Sequence, residues 1–239
     1  MSRHFIQPDW PAPAGVRAMV TTRMGGFSRG PWASMNLGMN CGDDPADVLQ
    51  NRDLLGRALP ADPLWLEQVH GTTVVLNDGL QVTTPEADAQ VAFGPGKVCA
   101  VLTADCLPVL FCSRSGDRVA AAHAGWRGLA AGVLEQTVKA LEWTPSGIMA
   151  WLGPAIGPDA YEVGDEVVEN FEAEFPRGFK RNGDRWLMDL YALARIRLEA
   201  AGVTSIYGGG FCTWTDSKRF FSYRRDGVTG RMASLVWLE

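Results

Sequence analysis

Three consecutive apolar runs between residues 97 and 125 place the strongest constraint on how this chain folds. They read KVCAVLT, LPVLFCS and RVAAAHAG, and Ser115-Gly116-Asp117 forms a turn between the last two. Runs that are apolar at successive positions are typical of strands covered on both faces. The sequence therefore predicts a buried β-sheet in this region.

The rest of the chain alternates strand-like and helix-like segments without a clear break. The other predicted strands are VRAMVTT, LWLEQVH paired with TTVVLND around His70-Gly71, GIMAWLG, SIYGGG and RMASLVWL. The predicted helices run from Pro45 to about Leu59, over 128–141, over VGDEVVENFEAEF, and from Leu187 to Gly202. This interleaving predicts one mixed α/β domain over residues 1–239.

The charge balance argues against a nucleic-acid-binding protein. The chain has 22 Lys and Arg against 27 Asp and Glu, a net charge of −5, so it offers no broad basic surface. It has no apolar run of about 18 residues and no apolar signal segment in MSRHFIQPDWPAPAG. Its five cysteines are odd in number and irregularly spaced, which favours a reducing compartment. We expect a cytoplasmic protein without nucleic-acid or membrane partners.

Two of the three histidines and one cysteine lie where glycine turns meet apolar strands. They are His70 in LEQVHGTTV, Cys106 in AVLTADCLPVLF and His123 in RVAAAHAGWRG. Two imidazoles and a thiolate are three ligands of a tetrahedral zinc site, and a fourth position open to water is typical of catalytic zinc. Their spacing matches no compact zinc motif. From the residues alone, a packed cysteine and hydrogen-bonded core histidines explain the pattern as well.

Several polar residues near these positions have two readings each. Asp105 is either a turn residue or a carboxylate that moves protons beside the metal. Arg127, at the start of a predicted helix, is either a solvated surface residue or part of an anion site. Arg23, in the glycine-rich TTRMGGFSRG, and the Arg224-Arg225 pair are weaker candidates for anion binding.

Taken together, eight segments resemble the laccase-domain or purine nucleoside phosphorylase family, also called the polyphenol oxidase or peptidoglycan editing factor family. The similar segments span nearly the whole chain in order: TTRMGGFSRGPWASMNLG, the Asn51-Arg52 helix start, LEQVHG, EADAQVA, VLTADCLPVLF, AAHAGWRGLAAGV, GPAIGPDAYEVGDEV and FFSYRRDGVTGRMASLVWL. The resemblance implies a single α/β domain with mixed β-sheet layers flanked by helices. It also implies a zinc ion bound by His70, Cys106 and His123. Many relatives carry a cysteine where this chain has Asp159-Ala160.

The activity that the resemblance implies is phosphorolysis of adenosine, inosine, guanosine and methylthioadenosine, together with deamination of adenosine. Its partners are then small molecules, purine nucleosides and phosphate. We expect Arg23 and Arg127 to hold phosphate and Asn36 to orient the substrate. His70, Cys106 and His123 are then both metal ligands and catalytic residues, and Asp105 is the carboxylate expected to manage protons.

Three other functions compete with this one. The first is a copper-dependent polyphenol oxidase, since a His₂Cys set also binds copper as an alternative or adventitious metal; a four-copper enzyme, however, needs more than three histidines. The second is a Cys–His hydrolase with Cys106 as nucleophile, acting on peptidoglycan precursors. The third is a structural zinc closed by a fourth ligand such as Asp105, Cys99 or Cys112.

Overall fold

The computed structural model describes residues 4–80, 83–171 and 174–239 of the chain. The described strands and helices are β1 (Phe5–Ile6), β2 (Val16–Thr21), α1 (Pro45–Gly56), β3 (Pro63–Leu64), β4 (Val74–Leu76), β5 (Ala89–Phe93), β6 (Val98–Thr103), β7 (Leu107–Ser113), β8 (Arg118–Ala124), α2 (Trp126–Ala131), α3 (Val133–Ala140), β9 (Ile148–Leu152), β10 (Glu162–Val163), α4 (Asp165–Val168), β11 (Phe179–Asn182), β12 (Arg185–Met188), α5 (Leu190–Ala200), β13 (Ser205–Gly208), α6 (Tyr223–Asp226) and β14 (Met232–Leu238).

Two large mixed sheets organise the molecule. One has five strands in the order β1-β2-β14-β6-β3, and the other has six in the order β13-β9-β7-β8-β5-β4. Each contains both antiparallel and parallel pairs; for example, β7 and β8 are antiparallel and β9 and β13 are parallel. A small third sheet, β10-β12-β11, lies apart from them in the hydrogen-bond pattern.

The two large sheets pack face to face through a buried apolar layer. The five-stranded sheet contributes Cys99 and Val101 of β6, and the six-stranded sheet contributes Leu110, Cys112 and Trp151. Alternate residues of these strands point the other way, because successive side chains of a strand face opposite sides of the sheet. This explains why the strands are apolar at every position and not at every second one.

Helices cover the outer faces of both sheets. Phe111 of β7 packs with Leu134 of α3 and Leu193 of α5 in one cluster, and Leu55 of α1 packs with Val98 of β6 in another. The result is four layers, helix, sheet, sheet and helix, which confirms the predicted mixed α/β architecture. No described helix combines the length and the apolar character needed to cross a membrane.

The pairing predicted around His70-Gly71 is wrong. β3 pairs with β6 in the five-stranded sheet, whereas β4 pairs with β5 in the six-stranded sheet. The chain between them therefore crosses from one sheet to the other and does not form a hairpin. The crossing brings His70 to the region where both sheets end, which a local strand pattern does not reveal.

Three predicted helices have different bounds in the structure. The helix over 128–141 begins at Trp126 and is interrupted at Gly132, whose φ of 99° ends α2 and starts α3. In the segment 163–175, the described residues form the end of β10, the short α4 and a 3₁₀ turn, and residues 172–173 lie outside the described ranges. The helix expected from Leu187 begins at Leu190, because Asp189 caps it and 185–188 pair as β12.

Candidate metal centre

Strand pairing places Cys106 beside His123. β7 and β8 are antiparallel neighbours, and Leu107 pairs with Ala124 while Pro108 pairs with His123. Cys106 directly precedes β7, at the corner where the chain leaves β6 of the five-stranded sheet and enters the six-stranded one. The thiol therefore reaches the end of β8 although 17 positions of sequence separate the two residues.

A single buried carboxylate, that of Asp88, positions the loop that carries His70. Asp88 is fully buried, and its Oδ1 accepts a hydrogen bond of 2.9 Å from the His70 N–H. Its Oδ2 accepts bonds from the N–H groups of Gly71, at 2.6 Å, and Val69, at 3.2 Å. These bonds hold His70 at a φ of 61°, a left-handed conformation that a non-glycine residue rarely adopts without support.

The same carboxylate orients the second histidine. His123 is buried, and its Nδ1–H donates to Oδ1 of Asp88 at 2.8 Å. This bond fixes the tautomer, so that Nε2 is the nitrogen available to a metal. Gln68 adds a tether on the other side, because its side chain bonds to both the N–H and the carbonyl of Leu102 in β6. The site thus joins elements of both large sheets.

The three donor atoms fit a tetrahedral ion. The ligand atoms of His70, Cys106 and His123 all lie within 4.8 Å of one another, and His70 Nε2 is 3.7 Å from Cys106 Sγ. Zinc–nitrogen and zinc–sulfur bonds of usual length at a tetrahedral angle separate such a pair by about 3.6 Å. This donor set suits a borderline-soft metal such as zinc, and it is the one group of this kind found among the described residues.

The electrostatics of the triad favour the thiolate. Burial opposes ionisation of Cys106, but the charge and hydrogen bonds of His123 and His70 outweigh it and lower the thiol pKa to about 6. Burial likewise lowers the pKa of His123, but the Cys106 thiolate and the Asp88 hydrogen bond outweigh this and raise it to about 9. A thiolate is the form in which cysteine binds metals and attacks electrophiles.

The absence of a side chain at Gly125 provides the space that the metal-binding side chains occupy. A Cβ at this position would lie 2.6 Å from Cδ2 of His70 and 3.1 Å from Sγ of Cys106. The residue is the N-cap of α2, so the helix begins directly against the metal-binding side chains. Any larger residue here would displace one of the ligands.

A cavity of about 690 Å³ opens onto the triad. Aromatic and cationic side chains line it together with the ligands, namely Trp65, Tyr223, Arg52 and Arg231. Among the described lining residues, Glu67 is the one carboxylate, and it is exposed; Tyr223 is 61% exposed. A volume of this size accommodates a small organic substrate beside the metal site.

Asp105 lies next to the triad, but its carboxylate is engaged by the protein. Oδ1 accepts the hydroxyl hydrogen of Thr213, and Oδ2 accepts the N–H of Arg224 at 2.6 Å. Its φ of 95° places it in a strained turn conformation. These contacts anchor the 213 and 224 segments to the corner that carries Cys106.

The three residues expected to bind substrate do not line the cavity. The guanidinium of Arg23 donates to the carbonyls of Ala33 and Ser217, and Arg127 is exposed and stacks 4.3 Å over Trp126. Asn36 is fully buried, and its side-chain oxygen accepts the N–H of Arg231 at 2.8 Å. Its Nδ2 donates to Asp43, Gly38 and Cys41. Asn36 therefore supports the cavity wall from behind.

Sequence reasoning missed two kinds of site residue. Asp88 lies in EADAQVA, where a carboxylate inside a small-residue apolar run is a signal of a buried, hydrogen-bonded acid. Arg52 and Arg231 carry no local signal of a cavity position. Their place depends on the packing of α1 and of the segment before β14 against β6.

Comparison with known proteins gives a consistent picture. A purine nucleoside phosphorylase of Escherichia coli K12, YfiH, is 56% identical over 98% of both chains. The purine nucleoside phosphorylase PA4543 of Pseudomonas aeruginosa is also 56% identical over 98% of both. The crystal structure of the Neisseria meningitidis protein NMB0706 superposes with a TM-score of 0.95 at 50% identity, covering 99% of both chains.

The family model described as multi-copper polyphenol oxidoreductase laccase matches residues 17–239. This match covers all of the candidate metal ligands and both large sheets except β1 and the first residue of β2. The chain belongs to this family.

Proposed function

We propose that the protein is a zinc-dependent purine nucleoside phosphorylase that also deaminates adenosine. The observation that carries the proposal is the His70–Cys106–His123 triad opening onto a cavity of about 690 Å³. The relatives named as purine nucleoside phosphorylases support it. Adenosine, inosine, guanosine and methylthioadenosine are the proposed substrates.

The two proposed reactions act at different atoms of the nucleoside. In phosphorolysis, a phosphate oxygen bonds to C1′ of the ribose while the bond from C1′ to N9 breaks. The electron pair of that bond moves to N9, and the base leaves after taking up a proton. In deamination, water adds to C6 and ammonia leaves. A zinc ion supplies Lewis acidity and activates water at neutral pH.

Residues of the chain orient the metal ligands and contact the substrate. Asp88 fixes the His70 loop and the His123 tautomer, so the donor atoms are held in place before any metal binds. Tyr223 presents an exposed aromatic ring at the cavity, where the face of a purine can stack on it.

Zinc is proposed over copper because of the donors that are present. The chain has three histidines, and His4 is not part of the triad. A multicopper oxidase needs several histidine-rich sites. A tetrahedral set of two imidazoles and one thiolate, with one position left for water, is the pattern of catalytic zinc.

The test is turnover by zinc-loaded protein. In phosphate buffer, adenosine should give free base and ribose 1-phosphate; without phosphate, it should give inosine, and both are resolved by chromatography. Cys106→Ala should lose zinc and both activities, whereas the matched variant Cys212→Ala, at a half-buried cysteine outside the triad, should keep them. If zinc-loaded protein converts no purine nucleoside, the proposal fails.

A Cys–His hydrolase remains the second candidate, favoured by one observation. Asp88, His123 and Cys106 form a carboxylate–imidazole–thiol chain, and the Cys106 pKa is lowered to about 6. This is the order of orienting group, base and nucleophile in thiol hydrolases. Such an enzyme, acting on peptidoglycan precursors, should be active without metal and inhibited by zinc, which is the opposite of the nucleoside reaction.

A further inference from the structure

Two cavity-lining arginines have no carboxylate partner among the described residues. Neither Arg52 nor Arg231 takes part in an ion pair in the part of the chain that the structure describes, and both are half-buried. A buried charge is costly unless it is paired, so unpaired cations in a cavity indicate an anionic ligand. Burial lowers the pKa of Arg52 to about 10. The guanidinium is therefore held there against a desolvation cost.

The backbone of Leu37 contacts both arginines. The carbonyl of Leu37 accepts from Nε and Nη2 of Arg52 at 3.0 and 2.9 Å. The N–H of Leu37 donates to the backbone carbonyl of Arg231 at 3.2 Å. Stacking at 4.1 Å over Trp65 fixes the plane of the Arg52 guanidinium further.

Donors remain after these contacts are made. Nη1 of Arg231 donates to the carbonyls of Thr229 and Gly230, which leaves its Nε and Nη2 without a protein acceptor among the described residues. Nη1 of Arg52 has no acceptor there either. Planar guanidinium forks with free N–H groups match the oxygens of a phosphate.

We propose that Arg52 and Arg231 form the binding subsite for inorganic phosphate, in the cavity that also contains the metal triad. The assignment rests on the proposed phosphorylase function and gives it a co-substrate site. It replaces Arg23 and Arg127, whose side chains lie outside the cavity lining.

The test compares Arg52→Gln and Arg231→Gln with Arg57→Gln. Arg57 lies on the same helix end as Arg52 but is exposed and pairs with Asp53. Loss of one charge-assisted contact raises the KM for phosphate by about 10- to 150-fold. We expect that change in both cavity variants and not in the control. Deamination of adenosine, which consumes water and no phosphate, should change less than about threefold.

Two further readouts make the outcome decisive. Arg52→Lys keeps the charge and should recover part of the phosphate affinity, even if Arg52→Gln folds poorly. Inorganic phosphate should raise the melting temperature of the wild type and of Arg57→Gln more than that of the cavity variants. An equal loss of phosphorolysis and deamination in the cavity variants would mean that the arginines support the fold, which overturns the assignment.

The same measurements separate the subsite from the proposed function. Unchanged phosphate KM in both cavity variants of an active phosphorylase overturns the subsite alone. Phosphate-dependent stabilisation that needs Arg52 and Arg231, in a protein without nucleoside turnover, supports the subsite and refutes the phosphorylase. Adenosine 5′-monophosphate tests the other source of a phosphate group. If only its stabilisation depends on the arginines, the site recognises a nucleotide and the proposal is wrong.

Discussion

Asp88→Asn is the perturbation that tests how the metal centre is built. Each carboxylate oxygen of Asp88 accepts two N–H groups, Oδ1 from His70 and His123 and Oδ2 from Val69 and Gly71. An amide has one oxygen and one NH₂ group. Whichever way it is turned, the NH₂ group therefore faces two donors and two bonds are lost.

The expected loss of folding stability follows from those two lost hydrogen bonds. A hydrogen bond to a charged group contributes about 1.5–3 kcal/mol, so the loss is about 3–6 kcal/mol. For a chain of this length, that lowers Tm by roughly 6–24 °C. Zinc affinity should also fall by about 10- to 100-fold, because His123 loses the partner that orients it.

Calorimetry of metal-free protein and chelator competition of loaded protein measure the two effects separately. Asp62→Asn, at an exposed carboxylate, is the matched control and should change neither quantity. If Asp88→Asn keeps the wild-type Tm and zinc affinity, the carboxylate does not organise the triad and the reasoning is refuted.

Other changes probe the same centre. Gly125→Ala places a Cβ 2.6 Å from the His70 ring and should lower bound zinc, whereas Gly15→Ala, with open space around it, should not; metal analysis decides. In chelator-treated protein, alkylation of Cys106 should accelerate as pH rises through about 6, and reloaded zinc should protect the thiol; a rate that rises only above pH 8 contradicts this. Burial raises the pKa of Asp88 but its hydrogen bonds lower it more, so the Tm gap between metal-free wild type and Asp88→Asn should hold above pH 4 and shrink at lower pH.

The layered fold could be predicted because strands buried on both faces of a sheet are apolar at successive positions, a pattern that is visible in the sequence. β6, β7 and β8 appear as apolar runs at nearly the predicted bounds. β11 and β12 could not be predicted, since every residue of FKRN and RWLM except Met188 is exposed or half-buried and the two segments lack an apolar pattern. The false hairpin at His70-Gly71 arose because a local pattern cannot show which distant strand each segment joins.

The metal ligands could be proposed from residue type, but the residues that hold the site in place could not. His70, Cys106 and His123 carry a chemistry that few residues share, so their co-occurrence drew attention. Asn36 has polar groups suited to substrate binding, but tertiary structure uses all of them on Gly38, Asp43 and the backbone of Arg231. Only the folded arrangement separates residues that face the cavity from those that hold its wall.

The position of Cys106 at the crossing between the two sheets has a mechanical consequence. His123 belongs to the six-stranded sheet, and the His70 segment is tethered through Gln68 to the five-stranded one. An ion bound to this triad therefore cross-links the two halves of the sandwich, and its bond lengths set a narrow range for their separation. Core residues between the sheets, such as Met149 and Trp151, then help to set the distance between the sheets that the bound ion requires. A change of one methylene group there would alter metal affinity without touching a ligand.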